Sequence, residues 1–106
     1  MNNDLKNLLK VIRNNDKKCV KHMYIKTSNN EYKIYNDLTT TIIDEILNNN
    51  YEVLSIIFKT GKSWLCQYTI RQLELLNSNN ELNNLDINRT EKDVIILFEF
   101  VSIYLK

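Results

Sequence analysis

Gly61-Lys62-Ser63 has the residue order that closes a phosphate-binding loop, and Cys19, His22 and Cys66 are the side chains best suited to ligate a metal or attack a substrate. Neither set completes a site on sequence grounds. A phosphate loop has the form GxxxxGK[ST] between a strand and a helix, so that free backbone N–H groups surround the phosphates. Here the first glycine position is Ile56, inside an apolar run, and Trp64, Cys66, Tyr68 and Ile70 recur with period two after Ser63. Gly61, the one glycine in the chain, then reads as the residue that supplies positive φ in a hairpin turn. Cys19 and His22 have the spacing of half a zinc site, but Cys66 is the only further thiol, and a closed four-ligand site would need a carboxylate. No metal and no cofactor are expected. His22 is the sole histidine and no acid–base pair converges with it, so no reaction class can be named and an enzyme is not expected.

The segments that would position these residues read as follows. Leu5, Leu8, Leu9 and Ile12 recur at helical spacing and predict an amphipathic helix over residues 4–15. "CVKHMYIK" and "EYKIY", separated by the polar turn "TSNN", predict a β-hairpin carrying Tyr24, Tyr32 and Tyr35. A second helix follows, capped by Asn36 or Asp37, with Leu38, Ile42, Ile43, Ile46 and Leu47 on one stripe and the Asn48–Asn50 run as its stop. "YEVLSIIF" and "SWLCQYTI" read as two strands joined by the Gly61 turn, and "RQLELLNSNN" as a further short strand or edge segment. Val94, Leu97, Phe98, Val101 and Leu105 fit a helix, although the run "VIILFEFVSIYL" is almost wholly β-branched or aromatic, so a strand is the alternative.

A chain of 106 residues has room for one domain and buries enough surface for an independent core. Hydrophobic residues at 43% and charged residues at 25% are ordinary for a globular domain and argue against disorder. Seventeen asparagines, eleven lysines against three arginines, and no alanine or proline are the bias of AT-rich codons, as in a protist or a large DNA virus. Residues 1–36 carry +5 and residues 37–106 carry −4, a split read as a solvated helix and loop rather than a nucleic-acid surface. No apolar run approaches a membrane span, and two distant cysteines without a leader suggest free thiols in an intracellular compartment, cytoplasmic or nuclear.

The spacing of the aromatics carries one resemblance. Tyr24 and Tyr32 lie eight residues apart, "EYKIYND" runs into a helix bearing "IIDEIL", and "CQYTIRQLELLN" comes later. That order resembles the WWE domain over about residues 20–89, leaving extensions 1–19 and 90–106. Tyr24 and Tyr32 would stand for the family's two tryptophans, Asp44 for its glutamate, and Tyr35 for the tyrosine at the helix entry. In the family's late strand, Tyr-x-Ile-Asp-Phe-x-x-Met-x-Gln, Tyr68 and Ile70 match, while Arg71, Leu75 and Asn77 replace an acidic residue, Met and Gln. The family's basic end is reduced to Arg89.

The resemblance implies an α+β fold, an antiparallel half-barrel sheet packed on one main helix, with an extra N-terminal helix and a C-terminal helix or strand. It implies a binding module for ADP-ribose or the iso-ADP-ribose unit of poly(ADP-ribose) in ubiquitin or ADP-ribosylation pathways. Tyr68 and Asn77 fall at ligand-contacting positions, and Lys26 and Lys33 where the family has aromatic contacts. Those lysines can pair with a pyrophosphate as point charges. The alternative is a protein-interaction adaptor that keeps the fold, lacks the pocket and docks a protein partner through its apolar terminal segments.

Overall fold

The computed structural model describes residues 3–61, 63–82, 85–89 and 93–98. Helix α1 (Asn3–Asn14) leads through a 3-10 turn (Lys17–Cys19) into the hairpin β1 (Val20–Lys26) and β2 (Tyr32–Tyr35). Then follow α2 (Thr40–Asn49), β3 (Glu52–Lys59), α3 (Trp64–Ser78), β4 (Leu85–Arg89) and β5 (Asp93–Phe98). The strands form one open antiparallel sheet in the order β2-β1-β3-β5-β4. The α+β class and the sheet packed on helices are as expected. The sheet does not close into a barrel.

Local chemistry sets each boundary. Asp4 in the first turn of α1 and Arg13 in its last complement the helix dipole. The β1–β2 turn is closed by the Thr27 and Glu31 backbones, 2.8 Å, with Asn30 at positive φ, 61°, a conformation asparagine tolerates. Thr39, rather than Asn36 or Asp37, caps α2 by accepting from the Ile42 N–H at 3.2 Å. The Asn run ends that helix as expected, through Asn50 in the left-handed region at φ 51°.

The cross-strand registers place Met23 opposite Ile56, Ile56 opposite Ile96, and Phe58 opposite Val94, all almost fully buried on one face. On the other face Tyr24, Ser55, Ile57 and Ile95 are only half-buried, so the helices cover a single side of the sheet. A register shift in β1 between Val20 and His22 lets both Val20 and Met23 reach the covered side. Leu5, Leu8, Leu9 and Ile12 of α1 join Ile43 and Ile46 of α2 in that core. The apolar stripe of the N-terminal segment is therefore spent inside the domain, where each such side chain contributes roughly 1.5–3 kcal/mol.

Two expectations are corrected. The segments "SWLCQYTI" and "RQLELLNSNN" are not strands; all but Ser63, Asn79 and Asn80 form one continuous helix of 15 residues, α3. The residues that read preferentially as a C-terminal helix form β5 over Asp93–Phe98, which fits their β-branched content. Val101 and Leu105 of that expectation lie outside the described residues. Among the described residues, no helix is long and apolar enough to cross a membrane.

Candidate functional site

Helix α3 positions the residues most able to recognise a ligand. Ser63 caps it by accepting from the Cys66 N–H at 3.1 Å. Cys66, Thr69, Ile70 and Leu73 then turn inward at spacings of three and four and are buried against the sheet. The outward face carries Trp64, 77% exposed, and Tyr68, 47% exposed, four residues apart, followed by exposed Arg71. The alternation that resembled a strand arises because these exposed aromatics interleave with the buried positions.

Between this face and β4 lies an open groove of about 470 Å³, lined by Trp64, Gln67, Tyr68, Arg71, Glu74 and Arg89. That volume is within the range of small-molecule sites, about 300–1,000 Å³. The Trp64 and Tyr68 rings meet edge to face, centroids 6.4 Å apart and planes at 62°, so a flank of each ring remains open to a planar ligand. Arg89, brought to the helix side by its register opposite Val94, donates to Glu74 Oε1 at 2.7 Å. Arg71 has no hydrogen bond or ion pair to the other described residues. Two guanidinium groups against one carboxylate leave the groove with a net positive charge and with planar donors matched to phosphate oxygens.

The residues expected to form the site are only partly brought together. Tyr68 lines the groove; Asn77 does not. The two stand nine positions apart on the helix, which is half a turn in orientation and roughly 14 Å along the axis. Lys26 and Lys33 lie at the opposite edge of the sheet, on the β1–β2 hairpin, with Lys33 opposite Ile25 and Lys26 opposite Tyr32. The four-residue pocket is thus dispersed, and its strand-based geometry is lost because Tyr68 and Asn77 stand on a helix.

The signature positions have structural surroundings. Tyr24 and Tyr32 stack at 5.7 Å between centroids on the uncovered face of the sheet. Tyr35 is half-buried, and its phenol is pushed above the usual range first by burial and then by nearby Glu45. Asp44 accepts from Arg13 Nε at 3.3 Å, joining α2 to α1 across a partly exposed gap. Such a pair contributes little to stability.

Gly61 does have positive φ, 75°, but it joins β3 to α3 rather than two strands. The "FKTGKSW" stretch therefore has the strand–loop–helix setting of a phosphate loop without its first glycine, since Ile56 is fully buried within β3. Lys62 lies outside the described residues.

A second polar cluster sits beneath the start of α3. Asp16, Cys19 and Cys66 bring one ligand atom each to within 4.8 Å of one another. The Cys19 thiol donates to the Asp16 carbonyl at 2.8 Å and the Cys66 thiol to Asp16 Oδ2 at 3.5 Å. Burial, then the adjacent Cys66 and Asp16, push the Cys19 thiol well above the usual thiol range. His22, paired with the cysteines by sequence spacing, instead meets Asn36 Oδ1 through Nδ1 at 2.9 Å.

Trp64, Gln67, Arg71 and Asp16 were not among the site residues expected from the sequence. For the first three the available signal was the spacing 64, 67, 68, 71, the outer face of a helix. Comparison with protein-family models, with curated proteins and with solved structures returned no match.

Proposed function

We propose that the protein is a small binding module that takes an ADP-ribose-type ligand in the groove between α3 and β4. The observation that carries this reading is the juxtaposition of exposed Trp64 and Tyr68 with Arg71 and Arg89. An adenine ring has a flat face for aromatic stacking, worth about 1–3 kcal/mol per base at nucleic-acid sites. A pyrophosphate accepts charge-assisted hydrogen bonds of about 1.5–3 kcal/mol each, the role given to Arg71 and to Arg89. The WWE resemblance supplies the ligand class, and the groove supplies the contacts in place of Asn77, Lys26 and Lys33. Isothermal titration with ADP-ribose and iso-ADP-ribose tests it: saturable heat that is lost in Tyr68→Ala and Arg71→Ala supports the proposal, and no heat at millimolar ligand refutes it.

A second reading, docking of a protein partner, has its own observation. Trp64, Tyr68 and Arg71 continue along the helix into Leu75, 50% exposed, and Trp, Tyr and Arg are the residues that dominate interface energetics. In that reading the partner covers α3, not the N-terminal stripe, which is buried. Binding of a protein that Trp64→Ala abolishes, with no response to ADP-ribose or iso-ADP-ribose, would select it.

A further inference from the structure

We propose that Asp16, Cys19 and Cys66 form a binding site for one thiophilic divalent metal ion of the zinc class, with solvent completing the coordination. The three residues come from two places in the chain. Asp16 caps the 3-10 turn by accepting from the Lys18 N–H at 3.0 Å, Cys19 ends that turn, and Cys66 lies in the first turn of α3. Their ligand atoms lie within 4.8 Å of one another, with Cys66 Sγ 3.5 Å from Asp16 Oδ2. A tetrahedral site with metal–sulfur bonds near 2.3 Å and metal–oxygen bonds near 2.0 Å separates its ligand atoms by about 3.5–3.8 Å, so closing on an ion requires side-chain shifts of about 1 Å or less.

The donor set selects the metal. Two thiolates with one carboxylate favour a borderline-soft ion such as Zn²⁺ and disfavour Mg²⁺ and Ca²⁺, which take oxygen ligands. Both cysteines are buried, whereas Asp16 is only partly so and keeps the solvent side open. Three protein ligands with one open position is the arrangement that leaves a place for water. Binding releases the two thiol protons to solvent. The resulting negative charge lies beside the N-terminus of α3, whose partial positive charge offsets it. The carboxylate that a cysteine-based site required is thus Asp16, and His22 is not part of it.

The site is separate from the groove. Cys66 faces inward from α3 while Trp64 and Tyr68 face outward, so metal uptake and ligand binding can be tested independently. The experiment is a titration of the full chain, kept reduced with a phosphine, with Co²⁺ followed by Zn²⁺. Expected are one Co²⁺ per chain, near-ultraviolet thiolate-to-cobalt absorption, tetrahedral visible bands, and their displacement by Zn²⁺ with a rise in Tm.

Cys66→Ser and Cys19→Ser should each abolish the thiolate bands. Asp16→Asn, which retains an oxygen to cap the turn, should weaken binding by more than about tenfold. His22→Gln should change nothing. Far-UV circular dichroism checks that each variant folds; should Cys19→Ser fail to, Cys66→Ser and Asp16→Asn decide. Absence of the bands in the reduced wild-type protein, or their persistence in Cys66→Ser, overturns the proposal.

Discussion

Replacing Thr69 by valine should stabilise this protein, although it removes a polar group from a helix. Thr69 lies midway along α3 with no exposed surface, and its hydroxyl is buried with no hydrogen-bond partner among the described residues. Leaving a hydroxyl in that condition costs about 1–3 kcal/mol relative to its hydrated state in the unfolded chain. Valine has nearly the same shape and helix propensity, so neither packing nor backbone preference opposes the change. A net gain of about 1 kcal/mol is expected. For a domain of this size that corresponds to a Tm increase of roughly 4–8 °C. Urea unfolding should show a higher midpoint with an unchanged slope, which separates a native-state effect from a change in the unfolded ensemble. Thr69→Ser, which keeps the hydroxyl and loses the methyl, should instead destabilise by about 1 kcal/mol. A Thr69→Val midpoint equal to or below wild type would refute the reasoning, since it would mean that the hydroxyl is bonded in the folded state.

Ser63→Ala removes the oxygen that caps α3 and should cost about 1 kcal/mol by urea unfolding. Phe58→Ala empties a fully buried position between sheet and helix and should cost about 3–5 kcal/mol, enough to unfold much of the protein at elevated temperature. Trp64→Ala, at the exposed end of the groove, should leave the midpoint within about 0.5 kcal/mol of wild type, so that any loss of binding is not a loss of fold. In the chelated, reduced protein the raised Cys19 pKa gives a pH dependence of definite sign. The unfolded chain loses this proton near pH 9.0 while the folded chain retains it, so stability is full below that pH and falls as pH rises above it. Unfolding midpoints measured from pH 7 to 10 should decline, and less steeply in Cys19→Ala.

The N-terminal two-thirds of the fold was legible because its signals agree at every level. Leu5, Leu8, Leu9 and Ile12 recur with helical period and are buried together, and "TSNN" and Asn48–Asn50 supply the turn and stop. Reading failed where two periods fit the same residues. Trp64, Cys66, Tyr68 and Ile70 alternate, yet Cys66, Ile70 and Leu73 also repeat at helical spacing, and only the second set is the core. The period-two recurrence placed all four on one strand face, whereas Cys66 and Ile70 are buried and Trp64 and Tyr68 exposed. Their exposure is also what makes the groove, so the misread segment is the functional candidate. Asp16 could not be joined to the cysteines from sequence, since its contact with Cys66 spans 50 residues and depends on where α3 starts. Arg71 and Arg89 stood out only as departures from or remnants of a family pattern, and their common groove follows from the β4–β5 register.

Amide and indole chemical shifts of the isotope-labelled full chain, followed during addition of iso-ADP-ribose, test the central claim most directly. The chain has a single tryptophan, so the Trp64 indole resonance is an unambiguous probe of one wall of the groove. Saturable changes at Trp64, Gln67, Tyr68, Arg71 and Arg89, with Lys26 and Lys33 unmoved, are expected. Changes centred on Lys26 and Lys33, or none at millimolar ligand, would contradict the assignment of the groove between α3 and β4 as the binding site.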